Sequence, residues 1–350
     1  MSSVIIKELN ISEYRGIRKL VKPLELGSFN VLISRNNVGK TAILEALYLL
    51  TMPYSAYSEP PYGKKIIDFI AGMHGGLPSL IYGYVGTAVL WYSLKGGIKI
   101  EFTGVHGITT KELRVESIKI DITRDGIKRV VLNDKEARDS DYRELLKALG
   151  IDTERGVLSV YVPNNSSAYE KIDSFVLKDS VWSWIEKEGL HKKVVKNILA
   201  PAIYDKFTEV TIKRDKLCVR KEVSEDIGPL YIDVDSLGEG VRRILLTYLV
   251  VEYLRPKLLL WDDLEVAAHP SLLEFTLKWL AESGMQVVVS THSIDVLYLL
   301  TQVRPKDCRV IVLRKSSDDI VSYKTLELDE LEDYLRSGVD VRKIIEEFEL

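Results

Sequence analysis

Ser34-Arg35-Asn36-Asn37-Val38-Gly39-Lys40-Thr41 combines a glycine, a lysine and a hydroxyl in the order that phosphate chemistry needs. Backbone N–H groups around Val38 and Gly39, at the positive end of a helix, can hold α- and β-phosphates. Lys40 can reach the β/γ oxygens, and Thr41 can place its hydroxyl on Mg²⁺. Ser34, Arg35, Asn36 and Asn37 complete the expected binding surface. Three more short segments extend the chemistry. Asp262 and Asp263 close the apolar run Lys257 to Trp261, which offers one carboxylate for the metal and a second to polarise an attacking water. His292, in Thr291-His292-Ser293, suits a γ-phosphate sensor because a neutral imidazole still donates one hydrogen bond. Asp235-Ser236-Leu237-Gly238-Glu239-Gly240 opens a long helical stretch to Tyr253, so that Ser236, Gly238, Glu239 and Gly240 form a second anion-binding nest.

These residues need strands to carry them. Phe29 to Ile33 before the loop, Lys257 to Trp261, and Met285 to Ser290 before His292 are apolar runs of the kind buried in a parallel sheet. Helical patterns follow at Ala42 to Leu50 and from Ile294 to about Leu300, the latter with Ser293 as a cap. Ligands of open α/β sheets gather at strand carboxyl ends, where the loop, the aspartates and the histidine would all lie. One nucleotide needs one phosphate loop, so the second nest is expected to act across an interface on the γ-phosphate of another subunit.

At these residues the chain resembles ABC-type ATPases of the RecF and structural-maintenance-of-chromosomes class, specifically compact prokaryotic AAA-labelled ATP-binding proteins related to overcoming-lysogenization-defect nucleases. The likeness rests on Leu9 to Arg18, on Lys40-Thr41 followed by Ala42-Ile43-Leu44-Glu45-Ala46, on Leu237 to Gly240, and on Glu265 through His269-Pro270. It covers the two ends and leaves roughly residues 51 to 230 unassigned. It implies that Arg15 lies near the nucleotide phosphates, that Ser236 and Gly238 act in trans, and that His292 is a switch histidine.

Three positions depart from that pattern. Ser34 stands where glycine is usual; a left-handed or tightly turned backbone there would cost a little more, and serine is expected to be tolerated. Asp263 stands where the base is usually glutamate, one methylene longer, so hydrolysis is expected to be slow while binding survives. Gln286 and Gln302 are the only glutamines, so the glutamine loop between phosphate loop and signature is missing. An amide from Asn164 or Asn165 could replace it, or Pro-Asn-Asn-Ser-Ser could be ordinary turn chemistry.

The 350 residues exceed one average domain, and a net charge of −3 argues against a chain that is basic overall. Cys218 and Cys308 are isolated and read as buried thiols, which suits a reducing, cytoplasmic compartment. Lys7 and Glu8 within the first apolar segment argue against a signal peptide. Phe69 to Leu94 carries no Asp, Glu, Lys or Arg, but its glycines and Pro78 argue against a membrane span.

The expected fold is α/β, a P-loop NTPase with an ABC-type head built on a mixed sheet, an antiparallel β arm and a helical subdomain. Residues 1–50 and 235–325 would form a discontinuous ATPase core, residues 51–234 the inserted β arm and helical subdomain, and residues 326–350 an acidic helical tail. Strands are expected at Ile98 to Val105, Leu113 to Thr123, Ile127 to Leu132, Phe207 to Ile212 and Leu217 to Lys221, with helices at Tyr142 to Leu149, Phe175 to Lys187 and Lys192 to Ile203. Lys213, Arg214, Lys216, Arg220 and Lys221, with Lys192, Lys193 and Lys196, could touch a nucleic-acid backbone, or form a solvated face with Asp215 and Glu222. The functional expectation is an ATP- and Mg²⁺-dependent ATPase whose product is dimerisation or a conformational change in a separately encoded effector or nuclease. The alternative is a nucleotide-gated binding module with negligible hydrolysis, serving a DNA-acting or defence partner.

Overall fold

The computed structural model describes residues 4–53, 60–103, 109–151, 156–224 and 226–344. Four strands in it are buried along their whole length: Phe29–Ile33, Gln286–Thr291, Leu258–Trp261 and Ser159–Val162. Continuous apolar runs are what a parallel sheet covered on both faces demands, and these four pair in parallel with one another. Registers Ile33↔Thr291 and Trp261↔Val289 bring their carboxyl ends out at one level. Cys308–Lys315 extends the parallel group beyond Phe29–Ile33. The helix Lys40–Leu49 is buried at every position except Thr41, which explains its near-uniform apolar character.

Beyond Cys308–Lys315 the same sheet turns largely antiparallel, through Ile320–Leu326, Ile17–Leu20 and Ile6–Tyr14 to Ala88–Thr103, Thr109–Thr123 and Gly126–Leu132. The expected β arm is therefore a continuation of the core sheet. The strand expected to end at Val105 is described to Thr103, since residues 104–108 lie outside the described residues. Ser159–Val162, inside the stretch expected as insertion, pairs with Leu258–Trp261 in the core.

A separate antiparallel sheet holds Phe207–Lys213, Lys216–Ser224 and Gly228–Asp233. The third strand was not expected; Gly228 and Pro229 at its start weaken the strand pattern. The helix expected over Phe175 to Lys187 is two helices, Ser166–Val176 and Asp179–Lys187, separated where Lys178 becomes extended at ψ 134°. The stretch Lys192 to Ile203 lies in a helical run that passes through a π turn at Val195–Leu199, just before Pro201 removes a backbone donor.

Two buried amides hold the amino-terminal strand region to the core. Gln286 Oε1 accepts from the backbone N–H groups of Ile5 and Ile6, both at 3.0 Å, while its Nε2 donates to Ile6 and Gly27 carbonyls. Asn30 bonds both backbone groups of Gly27 and the carbonyl of Val287. All polar atoms of these side chains are thus satisfied out of water, as burial requires. The helix Leu328–Arg336 follows the sheet. Among the described residues no helix is long and apolar enough to cross a membrane.

Candidate functional site

Gly39 caps the helix Lys40–Leu49 with φ 121°, and a Cβ there would meet Ile17 Cδ1 at 2.8 Å. Glycine is thus required twice, by backbone and by packing. The left-handed position among the preceding residues is Asn37 at φ 61°; Ser34 is not in positive-φ backbone, so replacing glycine there carries no strain. Ser34 is buried, donates to the Arg35 carbonyl at 2.7 Å and accepts from Lys40 Nζ at 3.3 Å.

The loop, Arg15, Asp263 and His292 line one open cleft of about 230 Å³, with Asn36, Asn37, Val38, Gly39, Lys40 and Thr41 all on its wall. Asp262 lies beneath, buried, accepting from Thr41 Oγ1 at 2.7 Å and from Ser290 Oγ at 2.5 Å. Burial raises the Asp262 carboxyl above the ordinary aspartate value, and the hydrogen bonds from Ser290 and Thr41 oppose this. A hydroxyl beside a carboxylate at a strand end is a hard oxygen donor pair, which fits Mg²⁺. Among the described residues no group of three or more His, Cys, Asp or Glu could hold a metal. Two protein oxygens at one point suit an ion that takes its remaining ligands from phosphates and water.

Asp263 sits at φ 49°, its N–H donating to Ser290 Oγ at 2.8 Å. Its Oδ2 accepts from Asn164 Nδ2 at 3.1 Å, and its Oδ1 lies 3.8 Å from His292 Nε2. Asn164 and Asn165 divide the roles that their turn left open. Asn165 caps the helix Ser166–Val176 by accepting from Ser167 N–H at 2.9 Å, while Asn164 faces the site. Asn164 Oδ1 accepts from Arg243 Nη1, and Arg243 Nε donates to Glu239 Oε1, both at 2.9 Å. A chain of hydrogen bonds thus joins Glu239 of the second nest to Asp263.

Lys40 Nζ donates to His292 Nε2 at 2.7 Å, which requires that nitrogen to be unprotonated. Burial, then Lys40, holds the His292 imidazole below its usual value, so the ring is neutral at physiological pH. Burial also lowers the Lys40 ammonium from its ordinary value, against the opposing pull of Asp263, Asp262 and Glu265. The His292 backbone is held from both sides: its N–H donates to Glu265 Oε1 at 2.6 Å, and its carbonyl accepts from Arg342 Nη1 at 2.8 Å. Arg342, to which no motif of the sequence points, is itself clamped by Asp340.

The segment Ser236 to Gly240 is not among the residues lining this cleft. Ser236, Gly238 and Glu239 are exposed at the start of the helix Glu239–Leu254, whose cap Gly238 has φ 98°. Gly240 is buried, and a Cβ there would lie 2.1 Å from the Ala267 carbonyl oxygen. The helix start is therefore seated on the loop that follows the paired aspartates.

The basic hairpin is mostly neutralised from within. Lys216 pairs with Asp233 at 3.1 Å, Arg220 with Glu222 at 2.8 Å and Lys221 with Asp205 at 2.7 Å, while Lys213 lies over the Tyr231 ring. Cys218 and Cys308 are buried free thiols.

A family model described as "AAA domain, putative AbiEii toxin, Type IV TA system" matches residues 112–299, spanning the second nest, the aspartates and His292 but starting beyond the phosphate loop. The Uncharacterized protein MJECL11 of Methanocaldococcus jannaschii is 31% identical over 93 residues, 25% of this chain and 82% of that protein. An SMC head bound to the C-winged helix domain of ScpA superposes with a TM-score of 0.58 at 13% identity, covering 93% of this chain and 98% of that one. The Pyrococcus furiosus Smc head domain with an extended coiled coil, bound to the C-terminal domain of ScpA, gives 0.57 at 12%, covering 95% and 99%. The SMC head domain from Thermotoga maritima gives 0.50 at 13%, covering 92% and 99%. The fold is thus that of an ABC-type, SMC-like head, an α/β P-loop architecture with one large mixed sheet and a smaller antiparallel one.

Proposed function

Because the chain belongs to this AAA domain family and has the fold of an ABC-type head, we propose that it binds ATP with Mg²⁺ and hydrolyses it to ADP and phosphate. The observation that carries this reading is the convergence of Lys40, Asp263 and His292 on one cleft, over the Thr41–Asp262 pair. In the proposal, Lys40 leaves His292 for the β/γ-phosphates, and the N–H groups at the start of Lys40–Leu49 hold the α- and β-phosphates. Thr41 and Asp262 would hold the Mg²⁺, which supplies charge neutralisation on the triphosphate. Asp263 would accept a proton from the attacking water, with Asn164 fixing its carboxylate. Once Lys40 has left it, His292 would donate to the γ-phosphate from Nε2, the ring's single proton shifting to that nitrogen from Nδ1.

Ser236, Gly238, Glu239 and Gly240 would act on the nucleotide of a second head, so that ATP pairs two copies face to face. Exposure of Ser236, Gly238 and Glu239, above the close seat of buried Gly240 on Ala267, supports that reading. The output would pass to a separately encoded effector, as the SMC heads carry ScpA domains and as the family description implies a toxin–antitoxin setting. We place the protein in the cytoplasm.

A second reading, a nucleotide-gated module with negligible turnover, is favoured by the short Asp263 side chain, one oxygen of which is already engaged by Asn164. Steady-state phosphate release with Mg²⁺-ATP tests the proposal. Turnover lost in Asp263→Asn supports the ATPase; tight ATP binding with no phosphate released supports the gated module.

A further inference from the structure

Glu45 is fully buried inside the apolar helix Lys40–Leu49, where an unpaired carboxylate would be costly. Two side chains from distant segments meet it. Arg15 Nη1 donates to Glu45 Oε2, and His74 Nε2 lies 2.7 Å from Glu45 Oε1. Arg15 Nη2 also lies 3.2 Å from His74 Nδ1. Arginine can only donate, so His74 Nδ1 accepts and its Nε2–H donates to Glu45, which closes a ring of three hydrogen bonds. The main chain is fixed as well: Arg15 has φ 52°, its N–H donates to the Leu80 carbonyl at 3.0 Å, and Tyr14 bridges to Ile81.

Arg15 reaches the phosphate cleft from this ring. Of about five guanidinium N–H groups the ring uses two, which leaves about three for another acceptor. We propose that Glu45 and His74 are positioning residues that aim Arg15 at the phosphates of a nucleoside triphosphate, making the stretch from His74 to Ile81 part of the nucleotide site. The proposal rests on the ATP-site reading above. It gives a purpose to a buried charge that fold stability alone would not require, since an apolar side chain could fill the same space. A flexible arginine would lose rotamer freedom on binding; one already held loses less.

Calorimetry with Mg²⁺-ATP on the full chain tests this. His74 is at the edge of the ring and part exposed, so His74→Ala should fold and weaken binding about three- to tenfold, the loss of roughly one hydrogen bond's worth of positioning. His74→Asn, whose amide oxygen can accept from Arg15, should recover part of that loss. In an Arg15→Ala background, His74→Ala should have no further effect, because its action runs through Arg15. Glu45→Gln should weaken binding by about tenfold or more where near-ultraviolet circular dichroism shows it folded; where it does not fold, the His74 series decides. Unchanged affinity in His74→Ala, or an equal loss with and without Arg15, overturns the inference. Lys40→Ala separates the two claims. If it abolishes binding while His74→Ala does nothing, the positioning role falls and the ATP site stands; if Lys40→Ala binds normally, the ATP-site reading itself is wrong.

Discussion

The phosphate loop and the Ser236–Gly240 turn both present backbone N–H groups at a helix start, yet their surroundings are opposite. In the loop, Lys40 is buried and bonded to His292 and Ser34, and Thr41 is bonded to Asp262. In the turn, Ser236 and Gly238 face solvent, and a Cβ on Gly238 would meet nothing within 4 Å. Below the turn, however, Gly240 is pressed onto the Ala267 backbone. The side chains of the proposed phosphate loop find their partners within the chain; the turn is packed closely underneath and open above. The difference teaches that helix-start geometry is common to both, while a buried lysine, Lys40, which the proposed function sets against the phosphates, belongs to one. In the proposed dimer, the open turn would become a site once a second surface brings the phosphate to it.

The largest effect should come from removing that charge. Lys40→Ala is expected to weaken Mg²⁺-ATP binding at least about a hundredfold, the scale of a charge-assisted bond near ~3 kcal/mol. Calorimetry reads it directly. Equal affinity in the variant would reduce the loop to a polar turn and remove the contrast with Ser236–Gly240 altogether.

Next is the carboxylate opposite. Asp263→Asn is expected to lower phosphate release by on the order of 10²- to 10⁴-fold, the usual share of a general base, with ATP affinity nearly kept because Asp262 and Thr41 would still hold the metal. Asn164→Ala should cost about tenfold, through a less well fixed Asp263, by the loss of one hydrogen bond to a charged group. If Asn164→Ala hydrolyses ATP at the parental rate, the chain from Glu239 through Arg243 to Asp263 carries no signal between the two regions.

How much of this contrast was legible follows from which contacts are local. The loop, the paired aspartates and His292 could be read because strand, turn and helix signals lie within a few residues of each one. The place of Ser159–Val162 could not: its apolar run is plain, but which parallel neighbour it takes is decided by crossovers. In the sequence Gln286 is only a glutamine in the wrong place for a glutamine loop, whereas its work is to bond Ile5, Ile6 and Gly27. His74 had no local signal at all. Its partner Glu45 did, since a lone acid within an otherwise apolar buried helix must find a cation or a donor somewhere. Arg342 reaches His292 from 50 residues away, and no spacing rule points to it.

The two regions can be joined by mixing chains. Ser236→Arg should stop hydrolysis by blocking the open turn, and Lys40→Ala should stop it by emptying the loop. In the proposed isologous pair the turn of one chain would lie over the loop of its partner, so each mixed dimer would keep one intact composite site. Equal mixing makes about half of the dimers mixed, and total phosphate release should recover to about a quarter of the parental rate. Recovery that stays at zero, together with an Asp263→Asn protein that remains monomeric with ATP in light scattering, would leave the turn without a partner surface of its own kind.

The smallest effect concerns the resting cleft. His292 accepts from Lys40, and burial followed by Lys40 keeps its imidazole below the ordinary value. The sign is fixed by proton counting. The unfolded chain takes up a proton at this histidine as pH falls through about 6.5, whereas the folded chain resists, so the unfolded state binds more protons and folding loses stability on acidification. The contribution is present above that window and is lost as pH falls through and below it. Thermal unfolding of the nucleotide-free protein should therefore fall in Tm between about pH 7 and pH 5, and His292→Asn should remove part of that slope. The difference between the two curves isolates this one group from the other histidines. Parallel curves would mean that burial and Lys40 together do not hold His292 neutral in the resting cleft, and that the loop is less complete within one chain than its contrast with the open turn requires.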